Sequence, residues 1–288
     1  MAVKGTHLER YRDVNLAAPS PATIGIAGTT AILRYQQFLS SQPIAGFDRI
    51  LVLASDANST YHGMAVQVRK RFSRHYQLLV GYTMGKAIND NPDSSPLNPG
   101  SGDGKLLSDS FTPRLDRGAS DGDQRHRLVL IGIWQLHYAD HLPAPARTIL
   151  EGWEFSGILT AQSGQPYSAK VNFDLNNDGN AATDRTPGIG RNTFYTPATF
   201  SLDPRLTRNV RLTESARLQF IWEAFNVFNR ANLSGVRTTQ FSRSTSAAAC
   251  GVARTPCLVP QNTGLTAFGT PTGTSGPRIV QLAIKITF

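Results

Sequence analysis

One stretch of this sequence has the residue types and spacing of a metal-binding loop. Acidic and amide side chains alternate from position 174 onwards, and Gly179 follows at the sixth place, where such a loop turns sharply. Calcium prefers oxygen ligands in this arrangement. The twelfth place is Arg185 instead of glutamate, so an Asx-rich turn without metal is the alternative. The candidate calcium ligands are Asp174, Asn176, Asp178 and Asp184.

The two cysteines are a second candidate for chemistry. Cys250 and Cys257 have six residues between them, in a stretch rich in small and polar residues. This spacing matches neither a C-x-x-C redox pair nor half of a zinc site with a visible partner. We expect a local disulfide formed in an oxidising compartment, and two free thiols in a loop are the alternative.

Motifs for enzyme chemistry are absent from the sequence. It contains no G-x-S-x-G, no G-x-x-x-x-G-K-[ST] and no H-E-x-x-H. Glu154 and Glu223 lie near Arg211 and Arg217 on predicted strands. We therefore expect these carboxylates to form salt bridges between strands. The sequence predicts that the protein is not an enzyme and binds no cofactor apart from the candidate calcium.

Composition excludes a membrane protein built from helices. Hydrophobic residues make up 40% of the chain, but no window approaches the roughly 18 consecutive apolar residues that a membrane helix needs. The net charge of +9 raises nucleic acid as a partner. We expect none, because the dense basic run is confined to 69–74. The charge fits anionic lipid headgroups and a solvated interior.

Alternation with a period of two residues is the strongest structural signal. Met64, Val66 and Val68 share one face, for example, while Gln67 and Arg69 share the other. Segments of about ten residues suffice for a tilted strand to cross a bilayer. The predicted strands are 64–72, 76–84, 127–138, 149–164, 204–212, 216–227 and 278–288. We predict an all-β fold, a partial transmembrane antiparallel β-barrel of about eight long strands.

The predicted connections alternate between short and long. Short ones lie at 73–75, 139–148 and 213–215, and long ones at 87–124, 165–203 and 229–277. Short turns on one rim and long loops on the other are typical of outer-membrane barrels. We assign 47–56 to a loop, because one more crossing would upset this alternation. A soluble β-sandwich is the alternative, but its strands and connections are usually shorter.

The last strand carries an apolar residue at every second position and ends in an aromatic ring. Its apolar row is Val280, Leu282, Ile284, Ile286 and Phe288. This row resembles the C-terminal signal by which the outer-membrane assembly machinery recognises barrels, since it can add as an edge strand to a partner sheet. The expected partners are this machinery and outer-membrane lipid.

Further motifs resemble the barrel of the Oar-like TonB-dependent receptors. They are 5–8 with 13–15, 59–64 with 70–73 and 81–87, 123–127, and 223–229. The resemblance implies a barrel of about 22 strands, an N-terminal plug and a segment that contacts TonB. Residues 1–288 would be the C-terminal portion of that barrel, without the plug, so TonB would act only through a plug outside this chain.

The resemblance implies uptake of a large, unidentified solute through the bacterial outer membrane, with the C-terminus in the periplasm. An adhesin or structural barrel, whose external loops bind partners without transport, is the alternative. The first ten residues contain no apolar stretch of an export signal. We therefore expect residues 1–288 to be a fragment of a longer receptor.

Overall fold

Strands account for nearly all regular structure in this protein. The computed structural model describes residues 1–39, 42–91, 106–137, 143, 146, 150–213, 216–251 and 255–288. The helical elements described over their full length are one α-helical turn (Ala247–Cys250) and two 3-10 turns (Pro113–Asp116 and Gly264–Thr266), and residues 146 and 150 are helical as well. None of the helices described is long and apolar enough to cross a membrane.

Eight long strands alternate along the chain with groups of short ones. The strands are β1 (Ala2–Asp13), β2 (Ser20–Ile26), β3 (Ile32–Gln37), β4 (Leu51–Ser73), β5 (Tyr76–Asn89), β6 (Gly118–Ala119), β7 (His126–Leu136), β8 (Trp153–Gln162), β9 (Pro166–Tyr167), β10 (Lys170–Val171), β11 (Phe194–Tyr195), β12 (Thr199–Arg211), β13 (Arg217–Phe225), β14 (Leu233–Val236), β15 (Thr239–Ser244), β16 (Cys257–Pro260), β17 (Pro271–Thr274) and β18 (Ile279–Thr287). The long ones build the main sheet, and the short ones build the connections.

The main sheet is an antiparallel meander. Its order is β1-β4-β5-β7-β8-β12-β13-β18, and the short β6 adds to the end of β5. Each long strand pairs with the next long strand along the chain. In the described residues, β1 and β18 are the two edges of this sheet. The prediction of an all-β antiparallel fold with about eight long strands is confirmed.

The sheet begins earlier in the chain than the sequence predicts. Assigning 51–56 to a loop is wrong, because β4 runs without a break over 23 residues from Leu51 to Ser73, whereas 47–50 do lie in the first connection. Its first half pairs with β1 and its second half with β5. Residues 51–56 therefore extend an existing strand and add no crossing. The alternation of β1 is hidden by register shifts between Gly5 and Glu9, which break its period of two.

Long and short connections alternate around the meander. Arg74 and His75 form the tight β4–β5 turn, both with positive φ, as two-residue hairpin loops require. The long connections are 14–50, 90–125, 163–198 and 226–278. All four leave the same edge, the long-connection rim, because neighbouring strands are antiparallel. The predicted short connections at 139–148 and 213–215 lie largely outside the described residues.

One face of the sheet, the apolar face, carries large exposed side chains. Register aligns one row across six strands: Tyr76, Trp134, Phe155, Leu206, Trp222 and Leu282. Trp134 is 54% exposed and Leu282 is 78% exposed. An exposed apolar surface of this extent marks contact with a membrane or a partner. Aromatic rows near a strand end are typical of barrel girdles.

The opposite, polar face carries most of the hydrogen-bonding side chains of the long strands. Arg205 and Glu223 are cross-strand neighbours on this face, with 3.1 Å between Nη1 and Oε1. The expectation that Glu223 would pair with Arg211 or Arg217 is wrong, because the register places these two arginines opposite each other. Glu154 accepts a hydrogen bond from Gln135 at 3.3 Å. Both carboxylates therefore contact a side chain of a neighbouring strand.

The long connections fold into a second layer, the cap. It consists of the five-stranded sheet β10-β15-β16-β2-β3 and the ribbons β9–β11 and β14–β17. The buried core of the five-stranded sheet is Ile24, Val171, Leu175, Phe241 and Leu258. A disulfide between Cys250 and Cys257 ties the α-helical turn to β16. These segments are predicted from the sequence only as long connections, and a shared core among them is not predicted.

Two neighbouring residues of β7 test the assignment of the faces. Leu130 lies between Val80 and Leu159 on the apolar face, whereas Val129 lies on the polar face. Leu130→Arg should cost about 2–4 kcal/mol of folding free energy in a bilayer, and Val129→Arg much less. Urea titration of the chain folded into lipid vesicles measures both. Equal losses for the two variants would contradict the assignment.

Candidate functional site

Buried polar side chains gather at the long-connection rim, where the main sheet meets the cap. Asn15 is fully buried just after β1. Its Nδ2 donates to the carbonyl of Phe47 at 2.8 Å, and its Oδ1 accepts from the backbone N–H of Ile44 at 2.8 Å. Asp13 accepts the N–H groups of Asn15 and Ile50. The motif at 13–15 therefore holds the two ends of the first long connection together.

The motif at 123–127 has the same kind of role at the second long connection. Asp123 is 1% exposed. Its carboxylate accepts the N–H of Ala87 at 2.7 Å and the Nε–H of Arg125 at 2.7 Å. These bonds join the end of β5 to the start of β7. A carboxylate at this position satisfies backbone groups that the strand ladder leaves free.

The motif at 223–229 covers the end of β13 and the turn that follows. Asn226 and Asn229 in this turn have positive φ, in the left-handed region that asparagine tolerates. Asn226 donates through Nδ2 to the carbonyl of Arg230 at 2.9 Å, and its own N–H donates to Asp203 at 2.7 Å. Asn229 accepts the N–H of Arg278 at 3.0 Å. The turn therefore fixes where the last long connection leaves the sheet and where it returns.

Buried or partly buried ion pairs also stabilise the long-connection rim. Arg10 is 3% exposed and contacts Asp56 at 2.5 Å and Asp90 at 3.5 Å. Arg185 contacts Asp116 at 2.5 Å, which joins the cap to the 3-10 turn at 113–116. Removing one partner of such a buried pair is costly, because a charge would stay buried without compensation.

A pocket of about 300 Å³, the rim pocket, lies where the polar face reaches the cap. Thr160 of β8 is opposite Ser201 of β12, and Gln162 is opposite Thr199, so these four side chains project from the polar face. Cap residues around Asn232 close the other side. The rim pocket is therefore lined on one side by the polar face of the sheet and on the other by the cap, and it is large enough for a small ligand.

No sequence motif points to the rim pocket. Thr160 and Gln162 fall in the predicted strand 149–164, but their convergence with the connections at 196 and 232 depends on tertiary contacts. The available signal is the repetition of hydroxyl and amide side chains at alternate positions of two strands, next to long connections. That signal becomes specific once the register pairs Gln162 with Thr199.

The candidate calcium loop lies on the edge of the cap core. Leu175 is 5% exposed and anchors the loop in that core. Asp174, Asp178 and Asp184 each offer a carboxylate oxygen, and these oxygens lie within 4.8 Å of one another. The Oδ1 of Asn176 accepts the N–H of Asp178 at 3.0 Å. All four predicted ligands therefore lie in one loop.

Burial, together with neighbouring negative charge, raises the pKa of two carboxyl groups in this loop. Burial, followed by the charge of Asp178, raises the pKa of Asp184 to about 7. Burial also raises the pKa of Asp178 to about 6, with a contribution from Asp174. Arg185 does not relieve this repulsion, because it pairs with Asp116. A cation is a chemically suitable occupant of such a group of oxygens, and calcium binding stays a prediction.

The predicted assembly signal lies on β18, at an edge of the main sheet. Val280 is 52% exposed, Ile284 is 66% exposed and Phe288 is 97% exposed. No second sheet covers this row in the described residues. The edge position agrees with strand addition as a means of recognition, which stays a prediction.

Calcium should stabilise the purified chain in detergent through the acidic loop. For a dissociation constant of about 1 mM, about 10 mM calcium adds about 1.4 kcal/mol. Asp174→Asn should abolish that gain. Asp48→Asn, a matched change at an exposed position in another long connection, should keep it. Thermal unfolding with calcium, magnesium or chelator measures the gain, and the same calcium response in both variants would contradict the site.

Asp123→Ala should loosen the second long connection. The substitution leaves the N–H of Ala87 and the guanidinium of Arg125 without their acceptor, at a cost of about 2 kcal/mol. Hydrogen exchange should therefore rise over 106–125, while exchange in β12 and β13 stays unchanged. Asp123→Asn keeps one acceptor and should have a smaller effect. Unchanged exchange over 106–125 in Asp123→Ala would rule out the proposed role.

Comparison with known families agrees with this architecture. A family model described as an outer membrane beta barrel domain matches residues 1–189 and 186–281. No curated protein matches the sequence. The matched ranges span the cap and nearly all of the main sheet, whose apolar face has the character of a lipid-facing barrel wall. The chain therefore belongs to the family of outer membrane β-barrel domains, and its location is the outer membrane.

Proposed function

We propose that this chain is part of a TonB-dependent receptor that takes up a large solute across the outer membrane. The observation that carries the proposal is the position of the rim pocket. Its hydrogen-bonding side chains lie on the polar face of β8 and β12, directly beside the cap. An uptake receptor needs solute-binding groups that face the barrel interior. A protein that binds with its outer surface alone does not need them.

The cap supports a receptor role because it is a folded layer with its own core and disulfide. Because these connections are already ordered, their binding groups lose little conformational entropy when a ligand binds. In the proposed orientation the cap faces the outside of the cell. The C-terminus, at the opposite rim, then faces the periplasm.

The proposed partners follow from the two surfaces of the sheet. Outer-membrane lipid contacts the apolar face, and the assembly machinery recognises the exposed row of β18. TonB acts through a plug outside this chain. The carboxylates of the polar face are engaged in pairs such as Arg205 with Glu223. We accordingly propose a receptor that performs no catalysis and binds no nucleic acid.

An adhesin is the second candidate. Exposed apolar side chains in the connections favour it, among them Ile32 at 65% and Leu265 at 89% exposure. Such side chains on the outer surface of the cap suit contact with another macromolecule. On this hypothesis the interior of the barrel has no ligand, and the rim pocket has no function.

Cells that carry the complete gene distinguish the two candidates. A deletion strain and a complemented strain are grown in the same medium, and the solutes that remain are measured by mass spectrometry. The receptor hypothesis predicts that at least one solute is depleted only by complemented cells. A protonophore should stop the depletion, because TonB-coupled uptake uses the proton gradient.

The controls are complementation with Leu130→Arg, which should lower the amount of folded barrel in the membrane, and with Val129→Arg, which should not. Depletion should be lost with the first variant and kept with the second. Equal depletion by all strains, together with loss of surface attachment in the deletion strain, would instead support the adhesin.

A further inference from the structure

The rim pocket has an unusual lining for a chain with a net charge of +9. Eleven of its fifteen lining residues carry a hydroxyl or an amide, and none carries a charge. Charged groups make up 17% of the sequence, so two or three would be expected among fifteen residues. A site without charge has no means of holding an ionic group by ion pairing. The lining therefore favours a neutral ligand with many hydrogen-bonding groups.

Three lining side chains of β8 and β12 are free to bond a ligand. Thr160, Gln162 and Thr199 project from the polar face and make no side-chain hydrogen bond to another described residue. Together they offer hydroxyl groups that donate and accept and one amide that does both. A ligand hydroxyl also donates and accepts. The neutral hydroxyl and amide groups of the pocket therefore suit a ligand that carries several hydroxyl groups.

Other residues of the lining form a prebuilt frame. Asn232 is 7% exposed. Its Oδ1 accepts the N–H of Phe200 at 2.9 Å, and its Nδ2 donates to the carbonyl of Phe200 at 2.8 Å. Thr196 accepts the N–H of Gln165 at 2.9 Å. Because these bonds exist without a ligand, the walls of the pocket need little reorganisation when one binds.

We propose that the rim pocket binds one sugar unit of a neutral saccharide. Its volume of about 300 Å³ is at the lower end of small-molecule pockets and suits a single ring. A longer saccharide would extend from the rim pocket along the polar face. This inference deepens the proposed receptor function and rests on it for the biological role of binding, although binding itself is measured independently.

An ionic ligand is the chief alternative, but no charged residue lines the rim pocket. Asp203 borders it and accepts the hydroxyl of Ser201 and the N–H of Asn226, and Arg127 is the cross-strand neighbour of Gln162. The acidic loop at 174–184 and the pair of Arg185 with Asp116 do not contribute to the rim pocket. Arg205 on β12 pairs with Glu223. Polar residues built for hydroxyl groups discriminate strongly against a ligand that cannot pair with them. Selectivity for neutral over charged saccharides is therefore the distinctive expectation.

Equilibrium binding to the purified full chain in detergent tests this inference. The neutral probes are maltotetraose, cellotetraose and mannotetraose, and the charged probes are tetragalacturonate and a chitosan tetramer. Saturation-transfer NMR and calorimetry should detect at least one neutral probe and no charged probe. Gln162→Ala should weaken that binding by about 3- to 10-fold, since one neutral hydrogen-bonding group is lost. Thr199→Val, which keeps the shape of the side chain, should weaken it by a similar factor.

Gln77→Ala is the matched control, because Gln77 also projects from the polar face but lies near the opposite rim. Each variant is compared at equal folded fraction, determined by the shift that folded barrels show on unheated gels. Absence of binding by every neutral probe would overturn the inference. Equal binding of charged probes, or equal losses in Gln77→Ala and Gln162→Ala, would overturn it as well.

The outcome for the rim pocket is separable from the outcome for uptake. Saccharide binding without energy-dependent depletion would support the pocket and contradict the receptor. Depletion of a solute that is not a saccharide, without saccharide binding, would support the receptor and contradict the pocket.

Discussion

Pairing of backbone N–H and C=O groups between neighbouring strands is the constraint on which the rest of this structure depends. Lipid offers no hydrogen bonds, so a chain that crosses it must satisfy these groups internally. The meander does so by pairing each long strand with the next one along the chain. Once the register is set, alternate side chains must face opposite sides, and the apolar row from Tyr76 to Leu282 follows from that geometry.

The ladder cannot satisfy the backbone where strands end, and the long-connection rim shows how the chain solves this. Asn15, Asp123 and Asn226 each use a side-chain oxygen or amide to bond a backbone group that the strand ladder leaves unpaired. These residues lie in the motifs at 13–15, 123–127 and 223–229. Their role here is to fix the ends of the first, second and fourth long connections at the rim. The core of the cap then holds the first, third and fourth connections together.

At this rim, the clusters of charged side chains do not overlap with the uncharged polar side chains that line the rim pocket. The acidic loop, the Arg185–Asp116 pair and the Arg10 cluster lie around the cap and its junctions. The rim pocket contains hydroxyl and amide groups without charge. The ion pairs hold strands and connections in position. The uncharged side chains that make no hydrogen bond to one another remain available to a ligand. The division assigns stability to one set of polar residues and recognition to another.

The sequence by itself determined the all-β class, seven of the eight long strands, and the alternation of short and long connections, because side-chain period and turn spacing are local properties. It also placed the four acidic-loop residues in one segment. Tertiary structure decided that Leu51–Ser73 is one strand, that Glu223 faces Arg205, and that distant connections share a core around Leu258. The physical reason is that register and packing join residues far apart in the chain, and no local pattern records which ones meet.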